Sequence, residues 1–297
     1  MAGSVKEKRP GSMSIAPRGG EITPEVLAAL AARLKAKLGF DLLSYKSKVL
    51  HRRLRTRLRA HACGDYHEYL RVLDEDPREL EQLYKALIIN VSNFFRNAET
   101  YWFLRDRVFP ELFARKRAGD GALTLVSAAC AEGEEPYSLA MVLRNFFARE
   151  LERVRVRIVG IDIDDEALAK ARAGAYPLER VAEAPAAFRE RFFVKRGKNY
   201  ELTAEARSLV EFRRHDLRSG LPLTAVDLVM CRNLLIYFKR EYQLRLLRAI
   251  HAALAEGGYL VLGKTETLGS GLREQYQVVD LSEHVYRKAG VDPCAWR

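Results

Sequence analysis

Past residue 120 the sequence alternates short β-rich runs with helical ones, and this alternation constrains the fold more than any other feature. Ala122 to Ala128 precedes a helix from about Pro136, and Val154 to Ile161 precedes one from Asp165. Val226 to Cys231 precedes a helix from Arg240, and Tyr259 to Gly263 follows the Gly257-Gly258 stop. Strand, helix and strand in this order predict a parallel sheet with helices on both faces. A ligand of such a sheet sits beyond the carboxyl ends of the strands, where the unusual sequences of this chain lie. Between about Arg189 and Arg214, RFFVKRGKNYEL and SLVEFRR predict instead a small antiparallel insertion turning at Gly197-Lys198-Asn199.

Upstream the period is helical. The first twenty residues mix Gly, Pro, Ser and Lys without an apolar period and read as a disordered leader. Thr23 then caps a helix with Pro24 in its first turn, and Val26, Leu27, Leu30, Leu34 and Leu38 recur at helical spacing before Gly39. The next helix sets Val49, Leu50, Leu54 and Leu58 on one face and Lys48, Arg52, Arg55 and Arg59 on another. Residues 46 to 59 hold seven Lys or Arg and no acid, within a chain of formal net charge +11. That balance points to an acidic partner, whether nucleic acid, anionic lipid or a carboxylate-rich protein. The helix reads equally as a binding face or as a solvated structural one.

The sequence has no apolar run long enough to span a bilayer and no secretion signal, so a cytosolic protein without membrane insertion is expected. Cys63, Cys130, Cys231 and Cys294 lack the spacing of a disulfide framework or a zinc site, and no metal is expected. His61, Cys63 and His67 read as ordinary loop residues.

Four strand ends carry the chemistry. After the first, SAACAEGEEPYS has one glycine where a dinucleotide fingerprint has three, and Glu134 and Glu135 at a helix start would repel a pyrophosphate. A cationic ligand suits them better, such as the amino group of S-adenosylmethionine; alternatively the two acids only satisfy the helix dipole. The second strand ends in GIDIDD, where Asp162 is placed to accept from two ribose hydroxyls, while Asp164 or Asp165 caps the next helix. A third strand through Phe212 delivers Asp216 toward an adenine amino group and Leu217 toward the ring. Val226 to Phe238, VDLVMCRNLLIYF, ends a buried strand in Arg232-Asn233 with an aromatic wall behind the amide.

With CRNLLIYF at 231–238, GEEPYS at 133–138 and NVSNFFRN at 90–97, supported by GFDLLSYKSKVLHRRLRTRL at 39–58, the chain resembles the chemotaxis receptor methyltransferase (CheR) family. The resemblance implies a doubly wound α/β S-adenosylmethionine-dependent methyltransferase fold with a small antiparallel β insertion, preceded by an all-α N-terminal domain. The expected divisions are a leader at 1–20, a helical domain at 21–97, a linker helix at 98–120, a methyltransferase domain at 121–288 with its β-subdomain at about 185–213, and a tail at 289–297. Little follows Lys288, so no appended repeat domain is expected. By matching positions, Asn90, Ser92, Arg96, Glu134, Asp162, Asp216, Leu217, Asn233 and Leu234 would contact the cofactor, with Arg96 and Tyr237 bordering the reacting methyl group. Ser92 stands where the family usually carries Thr and keeps the hydroxyl; Cys130 and Ala131, often Ser-Thr in relatives, are given no role.

The family's activity is transfer of a methyl group from S-adenosylmethionine to receptor glutamates, leaving S-adenosylhomocysteine. Since receptor methylation regions are acidic coiled coils, Lys48, Arg52, Arg53, Arg55 and Arg59 are the expected substrate-binding residues. The short turn Arg196-Gly197-Lys198-Asn199-Tyr200 resembles members that need no tethering peptide at the receptor C-terminus. Two rival readings are a nucleic-acid methyltransferase, which here would lack the Asn-Pro-Pro-aromatic grip on a flipped base, and a non-catalytic cofactor-binding signalling module.

Overall fold

A computed structural model describes residues 22–88, 90, 92–117, 121–269 and 271–289, so the expected leader, Val91, Cys294 and most of the expected tail lie outside the described residues. The chain divides into two compact units, residues 1–89 and 90–297. Among the described residues no helix is long and apolar enough to cross a membrane.

Among the described residues the first unit contains four α-helices, α1 (Pro24–Leu38), α2 (Ser47–Ala60), α3 (Tyr66–Glu75) and α4 (Pro77–Leu87). Thr23 caps α1 through its side chain, and Gly39 ends the helix at φ 63°, in the left-handed region open to glycine. Leu30, Leu34, Leu50, Leu54, Leu58, Tyr69 and Leu83 form the centre of its core. One polar network crosses that core. The buried Glu79 carboxylate accepts bonds from Arg57 Nε at 2.9 Å and Tyr69 Oη at 2.6 Å, and sits 2.7 Å from His61 Nε2. Burial pushes the Glu79 carboxyl up, but these three partners outweigh it and hold the group below its ordinary value. Arg57 is thereby committed to the interior and is withdrawn from the basic face of α2. Lys48, Arg52 and Arg59 are exposed, and Arg53 and Arg55 are half-buried.

The second unit opens with α5 (Ala98–Phe103), a π-helical turn (Leu104–Val108) and α6 (Phe109–Arg117). The segment expected to be a linker contributes to the core: Tyr101, Leu104, Val108, Phe109, Leu112 and Phe113 are buried in the same cluster as the strands, and so are Phe94 and Phe95. There follow β1 (Leu123–Ala128), α7 (Glu134–Phe146), α8 (Ala148–Leu151), β2 (Val156–Asp162) and α9 (Asp165–Ala173). Next come β3 (Ala175–Pro177), α10 (Leu178–Val181), α11 (Ala186–Phe192), β4 (Phe193–Arg196), β5 (Asn199–Leu202), α12 (Ala204–Arg207) and β6 (Val210–Arg214). The unit closes with β7 (Val226–Cys231), α13 (Arg240–Ala253), β8 (Leu254–Leu262), β9 (Tyr276–Asp280) and β10 (Val285–Lys288).

The main sheet has the order β6-β2-β1-β7-β8-β10-β9. Its first five strands run parallel; β10 and β9 pair antiparallel beyond β8. The strand order reverses at β1, with β2 on one side and β7 on the other, so a ligand crevice opens above the carboxyl ends of these three strands. The insertion is a three-stranded antiparallel sheet, β3-β5-β4. It differs from the expected one at both ends. Ala175–Pro177 joins it by pairing with β5, whereas SLVEFRR leaves it, because Val210–Arg214 aligns in parallel with Ile158–Asp162 and extends the main sheet.

Candidate active site at the carboxyl edge of the sheet

The loop from β1 to α7 is shaped by its backbone. Ala129 and Ala131 take φ values of 61° and 50°, and Gly133 takes 94°. A Cβ at Gly133 would lie 2.9 Å from Ala171 Cβ and 3.0 Å from Phe212 Cζ, so the single glycine of SAACAEGEEPYS is needed for close packing. Five of the eight positive-φ residues other than glycine among the described residues lie in three loops: Phe95 and Asn97, Ala129 and Ala131, and Asn233. Such backbone costs free energy and concentrates where geometry serves function.

Asp162 ends β2 with 5 % exposure, its Oδ2 accepting from Ala131 N at 2.8 Å and its Oδ1 from Asp164 N at 3.0 Å. Burial pushes this carboxyl up, while the backbone donors pull it back toward the ionised form. Asp164 caps α9 through Glu166 N and accepts from Asn90 Nδ2, which ties the start of NVSNFFRN to the end of β2.

Glu134 is the first residue of α7 and its side chain is 0 % exposed. Its Oε1 lies 3.2 Å from Arg180 Nη1, and its Oε2 is buried with no hydrogen-bond partner among the described residues. Burial pushes this carboxyl up to about 7. Glu135 turns the other way, accepting from Ser127 Oγ at 2.8 Å and lying 3.3 Å from Arg232 Nη1. The two neighbouring acids therefore divide their roles. Glu134 offers an open oxygen, and Glu135 is consumed by a strut.

That strut is Arg232, whose side chain is only 2 % exposed. Besides Glu135 it donates through Nη2 to the Arg96 carbonyl at 2.8 Å and to Asn97 Oδ1 at 2.9 Å. Its guanidinium also lies 5.8 Å from the ring centre of Tyr101. Ser138 Oγ accepts from Phe95 N at 2.9 Å and donates to Glu134 O at 2.7 Å. The three motifs NVSNFFRN, GEEPYS and CRNLLIYF thus meet around one buried guanidinium and one hydroxyl.

After β7 the chain turns through Asn233 at φ 58°. The turn is clamped by Glu266, 3 % exposed, whose Oε2 accepts from Asn233 N and Gly263 N, both at 2.8 Å, and whose Oε1 accepts from Ile236 N at 3.2 Å. Asn233, Leu234 and Tyr237 are left half-buried on this turn. Asp216 caps the short turn after β6, and its carboxylate holds Arg218 through Nη2 at 2.6 Å. Burial acts to raise the Asp216 carboxyl, but Arg218 overrides it and holds the group below the usual carboxylate range. Leu217 beside it is buried, Ser92 and Arg96 are half-buried, and the Ser92 carbonyl accepts from Arg180 Nη1.

Within the second unit, the residues expected to bind a nucleoside therefore come from loops following β1, β2, β6 and β7 and from the 90–97 segment. Sequence reasoning missed Arg180 and Glu266, gave Arg232 no structural part, and gave Glu135 only the helix dipole to satisfy. A charged residue inside an apolar run, as Arg232 follows VDLVMC, was the available signal for one of them. Among the described residues no group of three or more His, Cys, Asp or Glu side chains is arranged to hold a metal ion.

A family model described as "CheR methyltransferase, SAM binding domain" matches residues 90–285, and one described as "CheR methyltransferase, all-alpha domain" matches residues 25–88. The "Chemotaxis protein methyltransferase" of Listeria monocytogenes is 33% identical over 235 residues, covering 79% of this chain and 87% of that protein. "Chemotaxis protein methyltransferase 2" of Pseudomonas aeruginosa is 34% identical over 273 residues, 90% of this chain and 94% of that one. A 104.1 kDa protein of Rhodobacter capsulatus is 34% identical over 263 residues; 89% of this chain is covered but 27% of that protein, so the chain spans about a quarter of that relative's length.

Proposed function

Since the chain belongs to the CheR methyltransferase family, we propose a reading of its site in which each pocket residue has a stated task. The protein is an S-adenosylmethionine-dependent methyltransferase that esterifies glutamate side chains of chemoreceptors, in the service of chemotactic adaptation. The observation that carries the site reading is the buried Glu134 carboxylate with one open oxygen, on the same sheet edge as Asp162. When bound, S-adenosylmethionine supplies a methyl carbon whose bond to a cationic sulfur breaks as a carboxylate oxygen bonds to it.

The chain's own residues then hold and orient. Glu134 Oε2 takes the ammonium of the cofactor, and Asp162, its carboxylate fixed by two backbone donors, accepts from the ribose hydroxyls. Asp216 and Leu217 border the adenine; Asn90, Ser92, Asn233 and Leu234 complete the wall. An incoming glutamate has an ordinary pKa of about 4.3 and arrives ionised, so no general base is required. Arg96 and Tyr237 orient it and exclude water from charges that cancel as the ester forms. Incubation with methyl-labelled cofactor and receptor fragments tests this directly: base-labile label on receptor glutamates is expected, and label on nucleic acid instead would overturn it.

The open oxygen gives a pH signature. Ionised Glu134 attracts an ammonium and protonated Glu134 does not, so affinity for S-adenosylhomocysteine is expected to rise about tenfold between about pH 6 and pH 8. Glu134→Gln should flatten that rise in calorimetric titrations. Stability of the unliganded protein moves oppositely: the folded carboxyl titrates at about 7 against an ordinary 4.5, so the contribution present below 4.5 is lost as pH rises through 7.

The basic face of α2 is the receptor-facing surface in this reading, with Lys48, Arg52, Arg53, Arg55 and Arg59 meeting an acidic coiled coil. Its support is charge: residues 46–59 carry no acid, and Lys48, Arg52 and Arg59 are exposed. Arg55→Glu and Arg59→Glu are expected to slow receptor methylation by about tenfold at low salt while leaving cofactor affinity unchanged. Equal methylation rates for variants and parent would remove this face from the reading. The two-residue turn Gly197-Lys198 between β4 and β5 supports docking without a tethering peptide. Cys63, Cys130 and Cys231 are buried free thiols, which suits a reducing cytoplasm.

A further inference from the structure

The turn from β9 to β10, residues 281–284, lies at the carboxyl edge of the main sheet, because β10 runs antiparallel to β8 and starts where β8 ends. Two neighbouring residues of this turn reach the two walls of the site. Glu283 is a buried acid whose Oε2 accepts from Thr100 Oγ1 at 2.8 Å and whose Oε1 accepts from Lys264 Nζ at 2.5 Å. Thr100, 1 % exposed, is the third residue of α5, and its N–H donates to the Asn97 carbonyl at 3.0 Å, directly behind Arg96. His284 faces the other wall, its Nδ1 donating to the Glu266 carbonyl at 2.6 Å. The Glu266 carboxylate in turn clamps the turn that carries Asn233 and Tyr237. His284 takes φ 53°, a left-handed backbone that a residue other than glycine adopts only where its surroundings impose it.

The two ends of the 90–97 segment are held differently. Its front is tied to the nucleoside side of the site: Asn90 Nδ2 donates to Asp164, the Ser92 carbonyl accepts from Arg180, and Asn93 Nδ2 donates to Glu183 Oε1 at 2.7 Å. Its rear, with Arg96, is held by Arg232 and, through Thr100, by Glu283. Losing Glu283 therefore releases the rear while the front keeps its place. An apolar side chain would fill the space of Glu283 at less cost in desolvation; what only the carboxylate supplies is a fixed direction to Thr100 and Lys264 at once.

We propose that residues 281–284 staple the acceptor side of the site: Glu283, acting through Thr100, and His284, acting through Glu266, set the separation of Arg96 from Tyr237 and so the point where the incoming carboxylate meets the methyl group. Both are positioning residues. This rests on the reading of Arg96 and Tyr237 given above.

Turnover with methyl-labelled cofactor and saturating receptor fragments, set beside calorimetric titration with S-adenosylhomocysteine, tests the staple. Glu283→Ala and Thr100→Val are each expected to lower kcat by about tenfold or more, since a displacement of about 1 Å at the reacting atoms costs up to about a hundredfold, and to change S-adenosylhomocysteine affinity by less than about twofold. Glu283→Gln, which still offers an oxygen to Thr100, and Thr100→Ser, which keeps the hydroxyl, should each recover most of the loss. If the alanine variant does not fold, Thr100→Val against Thr100→Ser decides alone. Equal losses in turnover and in S-adenosylhomocysteine affinity would make the turn a general support of the fold, and the proposal falls. It falls also if kcat stays at the parent value, whether or not KM for the receptor rises. A parent protein that binds S-adenosylhomocysteine but labels no receptor glutamate overturns the reading of Arg96 and Tyr237, and this inference with it.

Discussion

Replacing Arg232 by methionine is expected to lower the unfolding free energy by about 3–5 kcal/mol, because it leaves Glu135 in the interior without its cation. Urea denaturation measures this as a lower midpoint at unchanged slope. Function should suffer beyond stability. The Arg96 carbonyl and Asn97 Oδ1 lose the donor that ties the 90–97 segment to β7, so turnover should fall even at temperatures where the variant is fully folded. Adding Glu135→Leu removes the stranded carboxylate and should restore much of the stability, since an apolar pair of similar volume often replaces a buried ion pair without loss. It should not restore turnover. A methionine variant as stable as the parent would show that Arg232 is not the strut described here.

Glu266→Ala is expected to weaken S-adenosylhomocysteine binding and to lower turnover together, each by about tenfold or more, since three backbone N–H groups lose their acceptor at about 1–3 kcal/mol apiece. Asn233 holds φ 58° only while its surroundings dictate it, and the clamp is the main polar contact that does so. Glu266→Gln retains one carbonyl oxygen. Placed at the Oε2 position, that oxygen still serves Asn233 and Gly263, so this variant should fall between alanine and the parent. Parent-like affinity and turnover in the alanine variant would show that the turn after β7 is set by packing alone.

How much of this was legible in the sequence follows from how each feature is built. The strands β1, β2, β7 and β8 were readable because their apolar runs are buried on both faces, which leaves an unbroken hydrophobic signal. β9 and β10 were not read: Tyr276–Asp280 is an edge strand with one buried residue, so no strong period marks it. The short run Val210–Arg214 fits either sheet by composition, and only its pairing with β2 decides. Within the site, Glu134 and Asp162 were visible because each sits at a strand-to-helix junction where a carboxylate is unusual or expected. Arg232 and Glu266 were not visible as supports, because all partners of their side chains but Gly263 lie 30 to 136 residues away and no local pattern encodes such a bond. Asp216 shows the same limit from the other side. Its place at the end of β6 could be named, but its hold on Arg218 two residues on could not.

The π-helical turn at Leu104–Val108 has a bearing on how this protein can vary over time. A π turn accommodates one residue more than an α turn, and here it keeps Tyr101 on one side of it and Phe109, Leu112 and Phe113 on the other buried in a common core. Rewinding the turn as a regular α-helix with no residue removed would rotate α5 by about 100° against α6 and swing Tyr101 away from Arg232. Along this stretch, then, the one change of length that keeps both flanks on the same core is loss of the extra residue, and homologous chains should show a spacing from Asn97 to Phe113 equal to this one or one residue shorter even where their residues diverge.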